Sequence, residues 1–147
     1  AEYLAKLVND RQKANPNERI LLVGDFNAYQ FNDGIVDVIG AIMGRPAPKE
    51  QVLNPSEDFL ERDLTNLIDK IRADQRYSYS FDGNAQVLDH FIANDAMLKH
   101  LAGFGYLRVN ADYPETLRGD SSRVERYSDH DIPVGYFSLD DKSAARK

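Results

Sequence analysis

The chain of 147 residues contains no cysteine. That excludes a disulfide scaffold and any zinc site built on thiolates, and it removes the commonest covalent nucleophile besides serine. It leaves the cellular compartment open, because secreted proteins can lack disulfides. Tryptophan is also absent, although eight tyrosines and seven phenylalanines remain. No apolar run approaches the ~20 residues of a membrane-spanning helix. Positive charge is in the minority: 18 Lys and Arg stand against 24 Asp and Glu, a formal net charge of −6. A basic protein that wraps nucleic acid by charge alone is thereby excluded. A disordered chain is excluded too, because 42% of the residues are hydrophobic, enough to offset chain entropy by burial. Two motifs are missing as well. There is no Gly-x-x-x-x-Gly-Lys-Ser/Thr loop for a nucleotide phosphate and no Gly-x-Ser-x-Gly elbow for a serine nucleophile.

What is present reads as one mixed α/β region. Residues 1–14 (AEYLAKLVNDRQKA) form a helix with Leu4, Leu7 and Val8 on one stripe, stopped by Asn15-Pro16-Asn17. Arg19–Gly24 contains a short continuous apolar run, the pattern of a strand buried on both faces. Residues 33–43 carry Ile35, Val38, Ile39, Ile42 and Met43 at helical spacing, with Asp33 as the expected N-cap and Gly44 as the stop. Residues 45–62, with three prolines, read as a surface loop. A further helix is expected from Asp63 through Leu64, Leu67, Ile68 and Ile71. Tyr77–Phe81 and Gln86–Ala93 flank Asp82-Gly83-Asn84, which predicts a β-hairpin. A short helix over 95–101 follows, then a strand over 106–110, an irregular polar stretch over 111–128, a last strand over 132–139 and a frayed tail over 140–147.

Three stretches carry groups that can do chemistry. Gly24-Asp25-Phe26-Asn27 ends the first strand. If extended, it projects Asp25 and Asn27 together, about 6–7 Å apart, with Phe26 turned inward. A carboxylate beside a carboxamide can hold a metal, a water or a phosphoryl oxygen. The plainer alternative is a strand-to-loop turn in which both side chains bond their own backbone. Val87-Leu88-Asp89-His90-Phe91-Ile92 sets Asp89 between apolar neighbours, where burial is costly unless something donates to it. Here either Asp89 meets a histidine or metal, or its face is wet and His90 is a satisfied core residue. Tyr127-Ser128-Asp129-His130-Asp131 puts carboxylates on both sides of a histidine, a hard-metal ligand beside a general base, or else a charged turn. Taken together, Asp89 can orient the His130 imidazole. That leaves Asp25, Asn27 and Asp129 for metal and phosphate, and attack by water assisted by a metal is the consistent reaction class.

The three motifs in this order, Gly24-Asp25-Phe26-Asn27, Leu88-Asp89-His90 and Ser128-Asp129-His130, resemble the C-terminal three motifs of the endonuclease/exonuclease/phosphatase superfamily. These are the relatives of pancreatic deoxyribonuclease and exonuclease III, and the flanking text is most similar to a bacterial group of extracellular nucleases. The resemblance runs over roughly residues 18–138. It implies half of a four-layer α/β sandwich with mixed, mostly antiparallel sheets, the helix of residues 1–17 preceding the first motif strand. It implies a divalent cation, usually magnesium, with calcium or manganese as alternatives, and hydrolysis of phosphodiesters. Asp25 would then meet the scissile phosphate, and Asn27 would bind substrate or position the attacking water. Asp129 would bind metal, His130 would act on the phosphoryl group or as base, and Asp89 would hold His130. Asp131, just after the motif, is expected to be structural.

The resemblance also implies parts that the motifs do not supply. The family's Asn and Glu motifs, the Glu being its main metal ligand, have no counterpart before Glu18. The chain therefore reads as the C-terminal half of a domain, weakly active or inactive until joined by the missing N-terminal half. Nucleic acid is the expected substrate, and a secreted or periplasmic location follows from the most similar group. The alternatives are a non-catalytic association module and a phosphoesterase acting on lipid or inositol phosphates.

Overall fold

The apolar stripe of the first helix decides how the chain begins to pack. In a computed structural model, which describes residues 1–139, helix α1 spans Glu2–Ala14 and buries Ala5, Val8 and Gln12. Leu7 stays largely outside. The buried Gln12 amide is satisfied by donating to the Arg62 carbonyl (2.9 Å), as a polar group inside a core requires. Strand β1 follows at Leu21–Asp25.

Helix α2 covers only Val38–Met43. It begins later than the apolar spacing predicts because Asp37, not Asp33, is its cap: the Asp37 carboxylate accepts from the Gly40 N–H (2.8 Å). Asp33 instead accepts from the N–H groups of Ile35 and Val36 (2.8 and 2.7 Å) and closes a turn. Gly44 ends the helix as expected, in the left-handed region at φ 82°, where other residues carry a steric cost.

The helix expected over 63–71 does not form. Strand β2 (Thr65–Asn66) and a single 3-10 turn (Leu67–Lys70) take its place. Tertiary pairing overrides the helical spacing: Thr65 and Asn66 pair with Ala93 and Ile92 of a later strand, while Leu64, Leu67 and Ile68 are buried all the same.

The expected hairpin is present as β3 (Tyr79–Phe81) and β4 (Asn84–Gln86). Asp82 and Gly83 turn it with φ of 48° and 78°, the double positive-φ geometry that matches strand twist. The second run is not one strand. After Gln86 the chain leaves the hairpin, and β5 (Asp89–Ala93) joins a different sheet. The buried Ser78 hydroxyl holds that crossover by accepting the N–H groups of Leu88 (3.1 Å) and Asp89 (3.2 Å). Helix α3 is short, Asp95–Leu98, capped by the Asn94 side chain. Strand β6 runs Leu101–Leu107, earlier than expected because Gly103 and Gly105 mask its strand character. Strand β7 spans Ile132–Phe137.

The fold class is thus mixed α+β, with helices and antiparallel sheets: β1-β5-β2, β3-β4 and β6-β7. Strand β5 is central. Its Ile92 packs with Ala5 and Val8 of α1 and with Ile39 and Ile42 of α2. Its Phe91 and Ala93 pack with Phe104 and Phe137 of the β6-β7 sheet. Strand β5 is therefore covered by helices on one face and by β6-β7 on the other, whereas β1, expected to be buried on both faces, lies at the sheet edge and leaves Val23 to Asp25 exposed. No helix among the described residues is long and apolar enough to cross a membrane. The tail expected to fray, 140–147, lies outside the described residues.

Candidate active site

The register of β1 against β5 pairs Asp25 directly with Asp89. Two carboxylates opposite each other at the end of a ladder repel, so the pair works against the fold. His130, just before β7, completes the group. One ligand atom each from Asp25, Asp89 and His130 lies within 4.8 Å of the others. Residues more than 100 positions apart in sequence meet here because β1 and β5 end side by side and β7 packs against β5.

His130 Nδ1 stands 2.7 Å from Asp89 Oδ2. A carboxylate can only accept, so Nδ1 carries the proton, and Nε2 is left as the basic atom. The Tyr79 ring lies against the imidazole, centroids 4.7 Å apart, and restricts its rotation. Asp89 is itself held from behind: the Tyr106 hydroxyl donates to its backbone carbonyl (2.7 Å). Burial pushes the Tyr106 hydroxyl well above the usual phenol range, helped by the nearby Asp89 charge, so it remains a donor.

Asp25 and Asn27 come together, but through a turn and not through an extended strand. Asn27 adopts φ 47°, a conformation asparagine tolerates better than most. Its N–H donates to Asp25 Oδ1 (2.8 Å) and its carboxamide to Asp25 Oδ2 (3.3 Å). The turn geometry and the clustering with Asp89 and His130 coexist. Phe26 points inward as expected and meets His90 edge-on at 5.8 Å.

His90 is a core residue. The Ala28 carbonyl accepts from its Nε2 (2.8 Å), so Nδ1 accepts from the Asn66 carboxamide (2.7 Å). Desolvation holds its pKa below the ordinary 6.5 against the pull of that carbonyl and of Asp89 and Asp25.

Asp129 falls outside the cluster. Its carboxylate faces Arg118 at 3.3 Å. Partial burial alone would raise its pKa, but its own N–H and Arg118 outweigh this and hold it below the usual range. Asp129, the expected metal ligand, is thus not among the residues that the structure brings together. Asp131 is structural, as expected. It is fully buried and accepts the N–H groups of Val109 (3.1 Å), Asn110 (2.8 Å) and Ala111 (3.1 Å), with Arg108 paired at 2.9 Å. Asn110 in turn donates to the His130 carbonyl (2.7 Å). Tyr79, Tyr106 and Asn110 thus support the site. The aromatic alternation of β3 hinted at Tyr79, whereas nothing local in the sequence marks the other two.

Comparison with known proteins returns no match. No family model fits the sequence, and no curated protein or solved structure is significantly similar to it. The site must speak through its geometry: a histidine with one basic nitrogen, a carboxylate that orients it, and a second carboxylate braced by a carboxamide.

Proposed function

We propose that the chain is a metal-dependent phosphodiester hydrolase, most simply a nuclease of the endonuclease/exonuclease/phosphatase superfamily. The observation that carries this reading is the convergence of Asp25, Asp89 and His130 from three separate motifs. Asp89 orients His130 through Nδ1, and Nε2 then takes a proton from the attacking water. The Asn27 carboxamide offers a donor to a phosphoryl oxygen. Asp25 and Asp89 present hard oxygen donors, and magnesium is commonly held by one or two carboxylates with water filling the other positions. These two residues, rather than Asp129, would hold magnesium, or calcium or manganese. When bound, such a cation supplies positive charge to phosphoryl oxygens and acidifies water.

The four-layer sandwich, the missing N-terminal half as partner, and a secreted or periplasmic location belong to the same proposal. The β6-β7 sheet supports the need for a partner segment: Leu107, Ile132 and Tyr136 stand exposed on it. That surface also favours a second reading, a module that acts by association alone.

Plasmid nicking with magnesium separates the two readings. The measurement compares the 147-residue chain, an N-terminally extended form, and His130→Ala in each. Nicking by the extended form that His130→Ala abolishes supports the hydrolase. Absence of nicking in both forms favours association, and equal nicking by wild type and His130→Ala overturns the proposed role of His130.

A further inference from the structure

Two aromatic rings line up away from the candidate base. Tyr79 lies on the His130 imidazole, and Phe81 stacks with Tyr79 at 6.4 Å between centroids and 18° between planes. Residues 79 and 81 share a face of β3, and Phe81 stands on the tip of the hairpin with 54% of its surface exposed. Beside the same histidine a cavity of about 290 Å³ is lined by Asp89, Val109, Val124, Tyr127, Ser128 and Pro133, among others. Tyr79 is not part of its wall, so the two surfaces adjoin His130 separately.

The cavity lies at the small end of the range for sites that enclose a whole small molecule, roughly 300–1,000 Å³. It suits one unit of a longer substrate. Its walls are mainly apolar, yet the Ser128 hydroxyl, which accepts from the His130 N–H (3.2 Å), keeps its own proton free to donate. Tyr127, 82% exposed, offers an open ring at the rim. An open ring and a hydroxyl beside apolar walls suit a heteroaromatic ring with a polar edge better than an alkyl chain.

Resting on the hydrolase reading, we propose that Phe81 and Tyr127 determine specificity. They stack the unpaired bases that flank the scissile phosphate, so the preferred substrate is single-stranded nucleic acid. The faces of bases inside a duplex are already stacked on their neighbours. Only splayed bases can use such a platform, and stacking accepts any base because every base has a π-face. An acidic protein gains little from the phosphates alone, which leaves base contacts to supply the affinity.

The test is binding, measured by anisotropy in EDTA so that hydrolysis does not compete. The 147-residue chain is titrated with a labelled single-stranded oligothymidylate and with a strand of equal length and charge whose bases are replaced by abasic sites. The base-bearing strand is expected to bind about tenfold tighter or more. Phe81→Ala and Tyr127→Ala should each remove about five-fold or more of that advantage, leave the abasic strand unaffected, and leave the melting temperature in place. Phe81→Tyr and Tyr127→Phe should restore it. Equal affinity for the two strands, an advantage that survives both alanine variants, or binding to anionic phospholipid vesicles in place of either strand would overturn the proposal. Base-dependent binding without cleavage of the oligothymidylate by the extended form in magnesium would sink the hydrolase reading alone, and cleavage without base-dependent binding would sink this inference alone.

Discussion

His90 and His130 sit at the same end of the fold and have opposite fates. His90 is desolvated, fully buried and neutral, its two ring nitrogens matched to one acceptor and one donor. Its folded pKa lies below 6.5, so between the two values the unfolded chain binds the extra proton. Stability therefore rises with pH through that window and is lost as pH falls below about 6.5. Thermal melts from pH 7.5 to 4.5 should show a decline beginning near that point, and His90→Gln should flatten its onset. The Asp25–Asp89 pair behaves differently. Asp25→Asn relieves a repulsion directly across the ladder while its side-chain oxygen can still accept the Asn27 N–H. The variant is expected to gain a few tenths of a kcal/mol in urea melts and to lose nicking by the extended form. A loss of stability would mean that the carboxylate serves the turn more than the site.

Strand β5 shows what a sequence discloses about an element and what it hides. Its alternation marked both Asp89 and His90, and the two readings given for them turn out to be compatible. With sheets on one side and helices on the other, both faces of the strand are covered, so each residue finds a protein partner. The break between β4 and β5 was hidden, because Val87 and Leu88 suit a strand as well as any neighbour. Only the buried Ser78, far away in the apolar pattern, decides where the chain changes sheet. Ser78→Ala leaves two backbone N–H groups without their acceptor, and a loss of about 1–3 kcal/mol is expected by chemical denaturation. Strand β6 was misplaced for another reason, because Gly103 and Gly105 weaken its strand pattern, whereas β7 forms within the expected 132–139 and carries Gly135 where close packing requires a glycine. A methyl group at Gly135 would stand 3.0 Å from the Phe91 ring and 2.9 Å from that of Phe137. Gly135→Ala should lower the melting temperature by several degrees, since the ring of a central strand cannot retreat.

Across the whole molecule, legibility follows sequence distance. The three motifs were readable because each is a short string with local meaning. Their meeting was expected from the chemistry of the residues and from the resemblance, since nothing local says that β1 and β5 end level. Asn110, Arg108 and Asp131 form a contact system over some twenty residues, and it surfaced in the sequence only as an extra carboxylate after His130. That system is worth about as much as a buried ion pair. Asp131→Ala removes the acceptor for three backbone N–H groups and, among the described residues, the only carboxylate paired with Arg108, whose guanidinium keeps the Tyr77 and Gln75 carbonyls. A loss of about 3–5 kcal/mol is expected by chemical denaturation.

Asp131 has one more effect. It fixes the backbone at 109–111 and at 131, so the excursion between them begins and ends at a clamp. The His130 imidazole is one residue from an anchored point, like a tool held close to the vice. Movement in the outer part of the excursion has almost no lever with which to displace it. The segment from Gly119 to Arg123 can therefore be lengthened or exchanged at an entropic cost of only about 0.6 kcal/mol per doubling of loop length. Reach toward a substrate and the aim of the histidine can change independently.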